Sequence, residues 1–87
     1  MTIHFHKRFV KRSKKLSLKD YDLLQDKLVL FLHNPFNEIL RNHPLTGDYF
    51  GYRSIDIRGD LLALYRELGN ATVQFRYLGT HHELYGT

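Results

Sequence analysis

The sequence predicts an α+β fold: an N-terminal helical hairpin packed on one face of a small, mostly antiparallel, twisted sheet. Three observations carry this expectation. Between residues 5 and 32 apolar residues recur at intervals of three and four, the period of an amphipathic helix. From residue 51 the period changes to two, as in half-buried strands. Short Gly- and Asn-containing breaks separate the alternating runs, which favours hairpins over long crossovers.

The elements follow in chain order. "TIHF" reads as a short opening strand. "HKRFVKRSKKL" has helical composition, with Phe5, Phe9 and Leu16 as a sparse apolar side and lysines and arginines on the wet side. In "SLKDYDLLQDKLVLFLHNP", Ser17 is a good N-cap, and Asp20 three residues later resembles a capping box. Leu18, Tyr21, Leu24, Leu28, Phe31 and Leu32 keep the helical spacing, and Asn34-Pro35 should end the helix because the residue before proline disfavours helical torsions. "GYRSIDI" then alternates. Ile55 and Ile57 should face the core, and Ser54, Asp56 and Arg58 the other side. "RGD" turns the chain, "LLALYREL" makes the next strand, "GN" turns again, and "ATVQFRYL" completes a three-stranded meander. The helices cover one face of the sheet, and the other is left open and polar.

Residues 1–87 are expected to form one domain. An apolar content of 43% and a charged content of 25% are those of a soluble globular chain. No cysteine is present, which removes disulfides and thiolate chemistry and fits a reducing cytoplasm. No charged-then-apolar leader opens the chain, and its longest apolar run, "LVLFL", is too short to span a bilayer, so no membrane association is expected. The net charge is +4, and it is uneven: Lys7, Arg8, Lys11, Arg12, Lys14, Lys15 and Lys19 all precede the first acidic residue, Asp20. So many like charges repel one another, and they suggest a footprint for nucleic acid or for an acidic protein.

Six histidines offer proton chemistry. His4, His6 and His33 read as surface residues. Zinc needs three or four ligands at workable spacing, and the adjacent His81 and His82 cannot easily both reach one ion, so neither a metal site nor a cofactor is expected. A metal-free reaction on a phosphodiester remains. RNA carries its own nucleophile, the 2′-hydroxyl. An enzyme then needs a base for that proton, an acid for the leaving 5′-oxygen, and positive charge on the phosphate. His43, Asp56, Asp60 and His81 are candidates for the proton steps, Arg53 and Arg58 for the phosphate, and Tyr85 for contact with the nucleotide. Strand alternation puts Asp56 and Arg58 on the open face together. A polar sheet face without any reaction is the plain alternative.

"HPLTGDYFGYRSIDIRGDLLALYREL" followed by "YLGTHHELYG" resembles the RelE/ParE superfamily of toxins from bacterial toxin–antitoxin pairs, closest to its YafQ-like branch. The similarity runs through residues 43 to 86; the N-terminal half matches only in architecture, as a basic helical hairpin before the sheet. The resemblance implies a RelE-like fold and a cytoplasmic, ribosome-dependent endoribonuclease that cuts mRNA in the A site with no metal. Its partners would be the ribosome with its rRNA, the mRNA and a cognate antitoxin. By motif position it implies that His43, Asp60, His81 and Tyr85 are catalytic. His81 would be the general acid, Asp60 or His43 the base or the residue that orients it, and Tyr85 the grip on the nucleotide. Lys7, Arg8, Lys11, Arg12, Lys14 and Lys15 would meet RNA. His82 falls where the family varies. The sequence departs from the YafQ-like pattern at Asp56, often histidine there; at Leu61, often tryptophan; and at Tyr77, often arginine. Strand parity would turn the neighbouring Arg76 to the opposite face. A ParE-like toxin of the same fold, acting on DNA gyrase without cutting RNA, is the competing class, and a plain RNA-binding module is a third.

Overall fold

The computed structural model describes residues 1–86; Thr87, the last residue of the expected domain, lies outside them. Five strands form one sheet in the order β1-β5-β4-β3-β2. They are β1 (Thr2–Phe5), β2 (His43–Pro44), β3 (Arg53–Arg58), β4 (Leu61–Gly69) and β5 (Thr72–Thr80). Three helices complete the mixed α+β fold: α1 (Lys7–Ser13), α2 (Leu18–His33) and α3 (His81–Tyr85). The β3–β4–β5 meander is antiparallel as expected, and β1 pairs with β5 in parallel. The two-residue β2 was not anticipated; it adds an outer antiparallel pairing to β3.

The opening strand is where the sequence placed it, as β1. Two helices follow, but they do not make the expected hairpin, because α1 is only seven residues long. Each helix rests on its own strand, α1 on β5 and α2 on β3. Between them runs a groove lined in part by Phe9, Ser13, Leu24 and Leu28. A helix this short buries too little to pair with a neighbour, so Phe9 docks on the sheet instead, its ring 5.6 Å from that of Phe75. For α2 the cap and stop are those read from the sequence: Ser17 Oγ accepts from the Asp20 amide, and Asn34 is the C-cap. Its buried side chains are Leu24, Leu28 and Phe31, whereas Leu18 and Leu32 are exposed.

The core lies between the helices and the sheet. Phe31 is fully buried against Tyr65 and Phe75 at ring distances of 4.8 and 5.2 Å. The opposite face is less open and polar than alternation implied. Ser54, Leu64 and Tyr77 share one row across β3, β4 and β5, and Ser54 and Leu64 are buried. The 3₁₀ turn Gly47–Tyr49 covers part of this face, with the Tyr49 ring 5.2 Å from Tyr77. The β4–β5 turn uses Asn70 and Ala71, both at positive φ (52° and 54°), the geometry that suits tight hairpins.

The strand register shifts at three places, and two of these bulges, one on β3 and one on β5, turn candidate residues to a face that simple alternation does not predict. On β3, Asp56 pairs with Leu62 but Arg58 pairs with Leu61, so two residues of β3 span one step of β4. Arg58 is thereby turned to the helix side of the sheet and no longer shares a face with Asp56. On β5, Tyr77 pairs with Leu64 and Phe75 with Tyr65, leaving Arg76 as the extra residue. Phe75 and Leu78 both belong to the core, so Arg76 and Tyr77 between them turn outward together.

Candidate active site

A cavity of about 360 Å³ opens on the face opposite α1 and α2. Its lining brings together His43, Asp56, Asp60, His81 and Tyr85, along with Arg41, Ser54, Gly59 and Leu62. Five of the residues singled out for chemistry are therefore neighbours, although they come from β2, β3, the β3–β4 turn and α3. His82, adjacent to His81 in the chain, does not line it.

Local structure fixes each side chain. His43 Nδ1 lies 2.7 Å from the Arg41 carbonyl oxygen. A carbonyl can only accept, so Nδ1 carries the hydrogen and a neutral ring keeps its lone pair on Nε2. His81 begins α3, and its amide donates to the Asp60 carbonyl oxygen at 2.9 Å, locking the β3–β4 turn to the helix. Gly59, in that turn, has φ of 40°, a left-handed torsion that glycine adopts without strain. The Tyr85 ring lies 4.7 Å from the His81 ring. Burial, with Tyr49 adding to it, pushes the Tyr85 phenol above its ordinary range, so it stays a neutral hydrogen-bond donor. Ser54 Oγ is buried with no hydrogen-bond partner among the described residues.

The two arginines expected at the phosphate lie elsewhere. Arg58, turned by the bulge, pairs with both carboxylate oxygens of Asp20 on α2 at 2.9 and 2.7 Å and with Asp60 Oδ1 at 3.2 Å. The hydrogen bonds that Arg58 donates to Asp20 hold the guanidinium above its ordinary pKa and the Asp20 carboxyl below its own. Arg53 donates to Asn42 Oδ1 at 2.8 Å and stacks on Phe36 at 5.2 Å. The cation the sequence reading missed is Arg41. Its Nε lies 3.5 Å from Asp56 Oδ2 at the cavity wall, and its side chain is largely exposed. Arg41 has φ of 50°, and no sequence signal marks a left-handed arginine.

The segment after β5 is the helix α3, and it is fastened at several points. Thr80 and Glu83 form a reciprocal capping box. Glu83 Oε1 accepts from the Thr80 amide at 2.8 Å and from Arg12 of α1 at 2.9 Å. The Thr80 amide first, and then Arg12, bring the Glu83 carboxyl down to about 2. Tyr49 donates to the Leu84 carbonyl oxygen at 2.8 Å, and its ring meets Tyr85 at 5.3 Å.

The basic segment divides by helical geometry. Arg8, Lys11, Arg12 and Lys15 line a second cavity, whereas Lys7 and Lys14 do not. His6 is more than a surface residue: it caps α1, its Nδ1 accepting from the Arg8 amide at 3.0 Å. Among the described residues, no group of three or more His, Cys, Asp or Glu is placed to hold a metal ion. Nor, among the described residues, is any helix long and apolar enough to cross a membrane.

A family model described as "bacterial toxin of type II toxin–antitoxin system, YafQ" matches residues 1–86. The chain belongs to the YafQ family. Among its relatives is the mRNA interferase toxin YafQ of Escherichia coli strain K12, 31% identical over 70 residues, which cover 78% of this chain and 75% of that protein. The crystal structure of YafQ from E. coli strain BL21(DE3) superposes with a TM-score of 0.78 at 28% identity, over 97% of each chain. The fold is also that of a chain in the E. coli DinJ–YafQ toxin–antitoxin complex, with a TM-score of 0.67 at 24% identity, over 97% of this chain and 96% of that one. These matches favour the endoribonuclease class over the gyrase-directed alternative.

Proposed function

We propose that this YafQ-family toxin is a ribosome-dependent endoribonuclease of the bacterial cytoplasm that cuts mRNA in the A site, with the 2′-hydroxyl of the RNA as nucleophile and no metal. The observation that supports this best is the convergence of His43, Asp60, His81 and Tyr85 on one cavity. In this reading His43 Nε2 accepts the 2′-hydroxyl proton, because its Nδ1 is committed to the Arg41 carbonyl. The 2′-oxygen forms a bond to phosphorus as the bond to the 5′-oxygen breaks, and His81 gives the departing oxygen its proton. The products are a 2′,3′-cyclic phosphate and a 5′-hydroxyl. Arg41 meets the charge that builds on the phosphate. Asp60 is held by Arg58 and, through its carbonyl, holds His81, which suits a positioning role better than that of base. Tyr85 supports the nucleotide next to His81. A cognate antitoxin binds the toxin until it is degraded, as the E. coli DinJ–YafQ toxin–antitoxin complex suggests.

Primer extension on an mRNA translated with and without the protein tests the activity. A message with a 2′-O-methyl group at the cut nucleotide tests the chemistry, because it lacks the nucleophile and should resist cleavage. Cutting of the methylated message at the normal rate would show that water or a metal hydroxide attacks instead.

A further inference from the structure

The second cavity, of about 330 Å³, lies between α1, β5 and α3. Arg8, Lys11, Arg12 and Lys15 line it from α1 and the turn that follows, and Arg76 joins them from β5 because the bulge turns it outward beside Tyr77. Five cations thus face one another with Glu83 as the only carboxylate in the lining, and Glu83 is already engaged by Arg12 and the Thr80 amide. Like charges gathered this closely repel, and a bound anion would relieve them. The guanidinium carbons of Arg8 and Arg76 lie 5.6 and 5.4 Å from the Tyr77 ring centroid. Arg76 Nε is buried with no hydrogen-bond partner among the described residues.

This cavity is joined to the histidine cavity by a run of rings. Tyr77 meets Tyr49 at 5.2 Å, Tyr49 meets Tyr85 at 5.3 Å, and Tyr85 meets His81 at 4.7 Å. Cations beside a continuous aromatic track are what a single nucleic-acid strand meets in sequence-tolerant binding. We propose that this second cavity seats a non-scissile backbone phosphate of the same RNA strand whose cut linkage lies in the histidine cavity, with Arg76 and Arg8 as its principal ligands. The proposal rests on the RNA-cutting reading above. An acidic protein segment would satisfy the charges equally well, but it would give no reason for the ring track to lead to His81.

The test is cleavage on programmed ribosomes of short messages that carry one neutral methylphosphonate, placed in turn at each linkage flanking the cut. In the unaltered protein one non-scissile position should slow cleavage about tenfold, the scale of a single charge-assisted contact. Arg76→Gln and, from a different element, Arg8→Gln should slow cutting of the unmodified message by a similar factor and add little when the methylphosphonate occupies that position. Arg76→Lys should recover part of the loss. Lys27→Gln, a matched loss of charge on α2, should keep the unaltered interference pattern. If the effects of Arg76→Gln and Arg8→Gln simply multiply with those of the methylphosphonate at every linkage, the cavity seats no substrate phosphate and the proposal falls, while the RNA-cutting reading stands. If the two variants change only inhibition by the antitoxin, the occupant is a protein carboxylate and the proposal is likewise wrong. If the unaltered protein makes no cut in the unmodified message, the function proposed above fails and takes this site with it.

Discussion

His81 and His82 are neighbours in the chain with different surroundings: the first lines the cavity under Tyr85, and the second does not. Loss of a general acid typically costs about 10² to 10⁴ in rate. His81→Ala should therefore lower single-turnover cleavage by about that factor, with ribosome binding nearly intact, and His82→Ala by less than about tenfold on the same scale. Equal effects of the two changes would mean that the chemistry lies elsewhere. Arg41→Gln tests the cation that faces the cavity. It should reduce kcat/KM by about tenfold or more, the size of one charge-assisted contact, and leave His43 oriented because that bond comes from the Arg41 backbone. The site histidines were legible because their spacing matched a known pattern. Arg41 was not, since its usefulness depends on a left-handed backbone and on a carboxylate fifteen residues away, neither of which spacing reveals.

At the scale of elements, α3 depends on Glu83. Its carboxyl is brought down to about 2, from an ordinary value of 4.5, by the Thr80 amide and Arg12. A depressed folded-state pKa gives stability that is present above the unfolded value and lost as pH falls through the folded one. The Thr80 and His81 amides should thus stay protected from hydrogen exchange above about pH 4.5 and lose protection progressively toward about pH 2. Glu83→Gln should remove most of that dependence while β4 and β5 keep their protection; an unchanged pH profile would show that the helix is held by Tyr49 and packing instead. The sequence disclosed β3, β4, β5 and α2 through period, turns and caps. It could not disclose the bulges at Ile57 and Arg76. A single inserted residue reverses every face that follows, so the expectation that Asp56 and Arg58 lie together, and that Arg76 points away from Tyr77, failed at those two steps. Nor did it disclose β2 or α3, which are too short to show a period.

Across the whole molecule, charge is segregated. The basic residues of α1 and the turn after it stand along one end of the sheet, apart from the histidine cavity. Affinity for the ribosome and chemistry at the cut should then be separable. Replacing Lys11, Lys14 and Lys15 by glutamine should weaken ribosome binding and flatten its log–log salt dependence by roughly 2 to 3, as expected for three lost phosphate contacts. Arg12 is left in place because it also fastens α3. An unchanged slope would remove these lysines from ribosome binding.

The parallel pairing of β1 with β5 has a consequence for the making of the protein. Thr2 is the partner of Thr72, and β1 stands at the edge of the sheet beside β5. Phe9 waits for Phe75 in the same way. A ribosome adding roughly 5–20 residues per second needs about 4 to 14 s to cover that interval, and the earliest part of the chain spends that time without its partner. The sheet therefore closes late, around a long loop whose entropy must be overcome before the contact forms. A toxin built this way stays unassembled through most of its own synthesis, which gives an antitoxin made alongside it time to be ready.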